Sequence, residues 1–139
     1  MLASSNMPRL ALKRALQDII VEDMGLSLNL EQTQQGFTED VTAWITGMTE
    51  TFTRIRGGSA ISAECNITVQ VFSELNETGV HKAIRDLIMI DPTNERLINT
   101  GVQITDISPI DSETSYGDES TDGGVIGTLT IKFTYLTRF

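Results

Sequence analysis

From Ile61 to Val71 apolar and polar side chains alternate without a break: Ile61, Ala63, Cys65, Ile67, Val69 and Val71 against Ser62, Glu64, Asn66, Thr68 and Gln70. A period of two held over that length predicts a β-strand with one dry and one wet face. Phe72 breaks the pattern only at the strand's end. Extended through Ser73, the run reaches about 43 Å at ~3.3 Å per residue. A compact chain of 139 residues has a diameter of about 37 Å. The strand is therefore expected either to bend strongly or to outrun its own domain and serve a neighbouring subunit.

Other patterns fill in the chain around it. Leu12, Leu16, Ile19 and Ile20 recur at helical spacing, widened by Leu10, Ala15 and Met24, and predict an amphipathic helix from Pro8 to Met24 with Gly25 as its stop. Leu26, Leu28 and Leu30 suggest a short extended piece before a polar loop over Gln32 to Gly36. The threonine-rich and β-branched stretch Asp40 to Arg56 predicts two short strands or one bulged strand interrupted at Gly47. Gly57-Gly58-Ser59 supplies a turn, so Thr49 to Arg56 and Ile61 to Phe72 are expected to form an antiparallel hairpin with Arg54 and Arg56 at its tip. Thr78 is placed to cap a second helix with a stripe of Val80, Ala83, Ile84, Leu87 and Ile88, ended by Asp91-Pro92. Thr93 to Asn99 adds a helical turn. Val102, Ile104 and Ile107 to Ile110 read as a strand with a bulge or bend near Pro109. Val125, Leu129, Ile131, Phe133 and Tyr135 give the dry face of a last strand running to Thr137. This order predicts an α+β fold in one domain, residues 1–139: a mostly antiparallel twisted sheet, two main helices packed on one face, and a long projecting β-hairpin.

Charge changes the picture in one place. Nineteen acids against ten bases give a formal charge of −9, which disfavours a nucleic-acid binder held by counterion release. Asp111, Glu113, Asp118, Glu119 and Asp122 lie together in a Ser/Thr/Gly-rich stretch without a base, read as a flexible acidic loop over 111–124. Arg54 and Arg56 are among the few concentrated basic features, and with these five acids they are the candidate interaction residues. The bland alternatives are a solvated hairpin tip and a solvated loop.

Catalytic chemistry has little material. One His and one Cys give no triad, no zinc set and no internal disulfide. Cys65 falls on the dry face as a small core residue, and His81 reads as a surface or boundary histidine. The acidic stretch lacks EF-hand spacing, and Gly57-Gly58 lacks the Lys-Ser or Lys-Thr of a phosphate loop. No cofactor or metal is expected. The N-terminal stretch does not read as a signal peptide, and no apolar run approaches the roughly 20 residues that span a bilayer. A soluble, intracellularly made protein with no membrane partner is the expectation.

The helical start Pro8 to Leu16 (Pro-Arg-Leu-Ala-Leu-Lys-Arg-Ala-Leu), the hairpin ending in Ile67-Thr-Val-Gln-Val-Phe72, the helix after it, and the C-terminal Gly127-Thr-Leu-Thr-Ile-Lys-Phe-Thr-Tyr135 behind an acidic loop together resemble the tail terminator proteins of tailed bacteriophages. The resemblance covers most of the chain as an order of elements. It implies a non-enzymatic α+β subunit, assembled in the host cytoplasm and resident in the virion, that forms a homo-oligomeric, typically hexameric, ring on the tail tube. The ring ends tube elongation and offers the docking surface for the head or neck. Implied partners are other copies of the chain, the tail tube protein, a neck or connector protein and, as a further candidate, a sheath protein. DNA would pass the channel without specific binding. Two alternatives stand beside this: another head–tail connector, neck or tail-completion protein, and a small acidic α+β ligand-binding or enzymatic domain using carboxylates of the 111–122 stretch.

Overall fold

The computed structural model describes residues 7–28, 41–55, 60–73, 76–116 and 124–137. Helix α1 (Pro8–Asp18) is followed directly by a π-helical turn over Ile19–Asp23. Its loosened end is closed by Met24 N–H donating to the Ile19 carbonyl at 2.9 Å and Leu26 N–H to that of Ile20 at 3.0 Å. Gly25 sits there at φ +72°, a left-handed turn that a side chain would strain. The short strand β1 (Ser27–Leu28) then leads to β2 (Thr42–Arg54), β3 (Ile61–Ser73), helix α2 (Glu77–Ile88), the one-turn helix α3 (Glu95–Ile98), β4 (Gln103–Tyr116) and β5 (Val125–Thr137). No described helix is long and apolar enough to cross a membrane.

The described strands form one five-stranded sheet in the order β1-β2-β3-β5-β4. Among the described residues only the β1–β2 contact is parallel, and it covers no more of β2 than Thr42 and Ala43. The other pairings are antiparallel. Ala63, Cys65, Ile67, Val69 and Val71 of β3 and Leu129, Ile131, Phe133 and Tyr135 of β5 are buried on one face, under Leu12, Leu16 and Ile20 at the α1 end and Val80, Ala83 and Leu87 of α2. At ~1.5–3 kcal/mol per large buried side chain, this single cluster is the main source of stability. The predicted α+β fold, with both main helices on one face, is the observed one.

Three expectations change. The length of β3 is absorbed inside the subunit: it pairs along its whole run with β5 and, from Ile61 to Phe72, with β2, and its inward face is buried from Ala63 to Ser73. A central strand needs no neighbouring chain to cover it, and the bulges lie in the outer strands β2 and β4 and not in β3. Next, the cap of α2 is Asn76, whose Oδ1 accepts from Gly79 N–H at 2.8 Å, while Thr78 lies exposed inside the helix. Asn76 is itself held where β3 ends, its N–H donating to Ser73 Oγ at 3.1 Å. Finally, Asp111 to Tyr116 are strand rather than loop, paired with β5 from Thr130 back to Val125. An edge strand exposed on both faces needs no apolar period, because its backbone hydrogen bonds are made whatever the side chains are.

Between β2 and α2 the packing is close enough to dictate a glycine. A Cβ on Gly79 would stand 2.7 Å from Val41 Cγ2 and 2.6 Å from Asn76 Nδ2. At the other end, Arg9 of α1 reaches over the sheet to Glu50 of β2 at 3.2 Å. Arg96 of α3 holds Asp23 through two hydrogen bonds, Nε to Oδ2 at 3.0 Å and Nη2 to Oδ1 at 3.1 Å. That fork ties α3 to the end of the π turn and raises the Arg96 pKa.

Candidate assembly surfaces

The chain's chemistry-bearing side chains do not converge. Cys65 is fully buried, and burial, followed by the nearby charge of Glu50, pushes its thiol up to about 12. At neutral pH it stays protonated and inert. His81 is exposed on α2, its Nε2 3.4 Å from Glu77 Oε2 and 3.4 Å from the Tyr116 hydroxyl. The Tyr116 pKa is raised by a hydrogen bond to Glu77. This small cluster, which joins α2 to β4, has no nucleophile beside it. Among the described residues no three His, Cys, Asp or Glu side chains stand where they could hold a metal ion.

What the fold does present is surface of two kinds. The sheet face away from the helices is polar across its middle, with Asn66, Thr68 and Gln70 of β3 next to Lys132, Thr130 and Thr128 of β5, while Trp44, Phe72, Ile126 and Leu136 fall on it toward the strand ends. Thr68 and Thr130 hydroxyls meet at 3.2 Å, and Lys132 approaches Glu64 at 4.0 Å. The second kind is the pair of sheet edges. Beyond Ala43, β2 has no strand on its outer side among the described residues, and β4 is the edge opposite.

The sequence candidates distribute over these edges. Arg54 ends β2, exposed, level with Ile61, and makes no ion pair among the described residues. Asp111 and Glu113 stand exposed on β4, level with Thr130 and Thr128, so their side chains share the polar face. Arg54 is thus on one edge and the two acids on the other. Arg56, Asp118, Glu119 and Asp122 lie outside the described residues, as does the Gly57-Gly58-Ser59 turn. Sequence reading missed Asp106, exposed on β4, and the threonines Thr49, Thr51 and Thr53, which line the polar face of β2. Their spacing of two was the available signal, hidden by the bulge at Thr46 and by the absence of buried partners.

This architecture has a solved counterpart. A chain of the "Virion of native gene transfer agent (GTA) particle" has the same fold, with a TM-score of 0.56 at 8% sequence identity, over 97% of this chain and 99% of that one. Compared by sequence, the chain matches no family model and no curated protein. The near-complete coverage in both directions means that the helices and the sheet correspond as one unit.

Proposed function

We propose that the chain is a structural subunit of a phage-like virion, and within it the tail terminator: a ring of identical subunits, expected to number six, that caps the tail tube, ends its elongation and offers the docking surface for the head or neck. The supporting observation is the fold shared end to end with a chain of a gene transfer agent virion. The surfaces agree with that role. Two sheet edges and a polar sheet face are available for contacts, and the formal charge of −9 would let DNA pass a channel without being held. Partners on this reading are further copies of the chain, the tube protein and a neck or connector protein. Assembly takes place in the host cytoplasm, and the mature location is the tail or neck of the particle.

A neck or tail-completion protein of the same fold is the nearest rival. An enzymatic or ligand-binding domain draws no support from Asp111 and Glu113, which stand exposed on a strand with no base or nucleophile next to them. Particles assembled without this chain decide the matter by electron microscopy. Loss of a terminator gives tubes of uncontrolled length that do not join heads, whereas loss of a neck protein gives tails of normal length left unjoined. Tails of normal length joined to heads would exclude both.

A further inference from the structure

We infer that neighbouring copies of this chain join edge to edge, the β2 edge of one copy pairing with the β4 edge of the next, so that the sheet continues from subunit to subunit. The inference deepens the ring reading and rests on it, since it names the contact through which the ring would close. Three features of the fold carry it.

Direction is the first. β2 is antiparallel to β3, β3 to β5, and β5 to β4, so β2 and β4 run opposite ways. A copy rotated about an axis along the strands presents β2 to β4 as an antiparallel pair, the more stable ladder. Because the two edges differ, the contact is head to tail, the kind of contact that closes rings.

Shape is the second. β2 carries its bulge at Thr46, between the levels of Val69 and Thr68. β4 carries two, one at Thr105 between the levels of Tyr135 and Thr134 and one at Ile110 between the levels of Thr130 and Ile131, which pair with Thr68 and Ile67. The β2 bulge and the second β4 bulge therefore fall at neighbouring levels, so a contact that keeps the strands level brings these two bends together.

Charge is the third. β4 exposes Asp106, Asp111 and Glu113 on the polar face and carries no base. On that face β2 offers the hydroxyls of Thr49, Thr51 and Thr53, and its one carboxylate, Glu50, is turned to the helix side and held by Arg9. Pairing two β4 edges would set three carboxylates against the same three across a strand spacing, which is destabilising. Pairing two β2 edges is obstructed at the Thr42–Ala43 end, where β1 already occupies the edge. Unlike edges avoid the carboxylate clash and meet β1 at one end of the contact instead of both, and carboxylates there meet hydroxyl donors.

Thr49 and Ser108 lie at the same level, through Asn66 and Lys132, and give a direct test. The full-length chain carrying both Thr49→Cys and Ser108→Cys, mildly oxidised at high concentration, should form a ladder of disulfide-linked oligomers on a non-reducing gel. Either single variant alone should remain monomeric, and the two mixed should give dimer only. Replacing Ser108→Cys by Asp106→Cys or Asp111→Cys covers a shift of register in either direction. Circular dichroism checks the fold of each variant, Cys65 being buried and unreactive. Dimers from one single variant by itself would overturn the inference in favour of like-edge pairing. Oligomers seen by light scattering without any mixed disulfide would place the contact elsewhere and leave the ring standing. A chain that stays monomeric at every concentration and does not cross-link would remove the edge contact. A ladder from a protein whose loss leaves tails of normal length joined to heads would keep the contact and remove the tail role.

Discussion

Replacing Arg9 by Met tests how α1 is fastened to the sheet. Glu50 has a side chain only 6% exposed and its Oε2 has no partner among the described residues, while Arg9, 3.2 Å from Oε1, is 62% exposed. At that separation and an effective dielectric of about 20 the attraction is roughly 5 kcal/mol. Solvent around the guanidinium reduces the useful part to about 1–2 kcal/mol. The asymmetry of burial then fixes the outcome: Arg9→Met leaves a carboxylate inside without its cation and should cost about 2 kcal/mol, whereas Glu50→Gln, which keeps the shape and drops the charge, should cost about 1 kcal/mol or less. The double variant should be no worse than Arg9→Met alone, giving a coupling of roughly 1–2 kcal/mol. Urea unfolding followed by the fluorescence of Trp44, the one tryptophan, measures all four proteins, provided the m-values agree. An Arg9→Met midpoint indistinguishable from that of the parent, or losses that simply add, would refute the reasoning.

Two further outcomes follow from the core. The Cys65 thiol ionises near 9.0 in the unfolded chain and at about 12 in the folded one, so the unfolded state loses this proton first and stability must fall as pH rises above 9.0. The slope approaches 1.4 kcal/mol per pH unit, so the stability difference between the parent and Cys65→Ala should narrow by roughly 1 kcal/mol from about pH 8 to about pH 10; parallel pH profiles would contradict it. Gly79→Ala should destabilise by about 1–2 kcal/mol in thermal or urea melts despite the helix preference of alanine, because Val41 and the capping Asn76 occupy the space; a rise in stability would show that they move aside.

The strands and helices that bury one face could be read from the sequence. The alternation of Ile61 to Val71 became β3, that of Val125 to Tyr135 became β5, and the Val80, Ala83, Ile84 and Leu87 stripe became the buried side of α2. Gly25 stops the first helix as expected. The distal half of β4 was hidden because Asp111 to Tyr116 bury nothing and are held by backbone pairing, which leaves no periodic trace in side chains. The central place of β3 was hidden for a related reason: a long strand predicts partners, but its sequence does not say that they come from both sides of the same chain. Asn76 and Thr78 were both able to cap by type, and only the position of Ser73 at the end of β3 selects Asn76. As for the candidate site, Arg54, Asp111 and Glu113 were recognised as exposed charges, but their assignment to opposite edges depends on strand order, which local patterns do not encode.

Strand order also sets the sequence in which the sheet can form. The β2–β3 ladder begins at Arg54 and Ile61, close in the chain, and the β4–β5 ladder at Tyr116 and Val125. The β3–β5 seam joins residues far apart, Ile61 with Thr137 and Ser73 with Val125. Closing it requires ordering the whole segment that contains α2 and α3, so two separately formed hairpins must meet before the core exists. Folding should therefore be limited by the docking of an N-terminal half on a C-terminal half. A chain cut between Ser73 and Glu77 would yield two fragments that each lack a core and regain one only by finding the other.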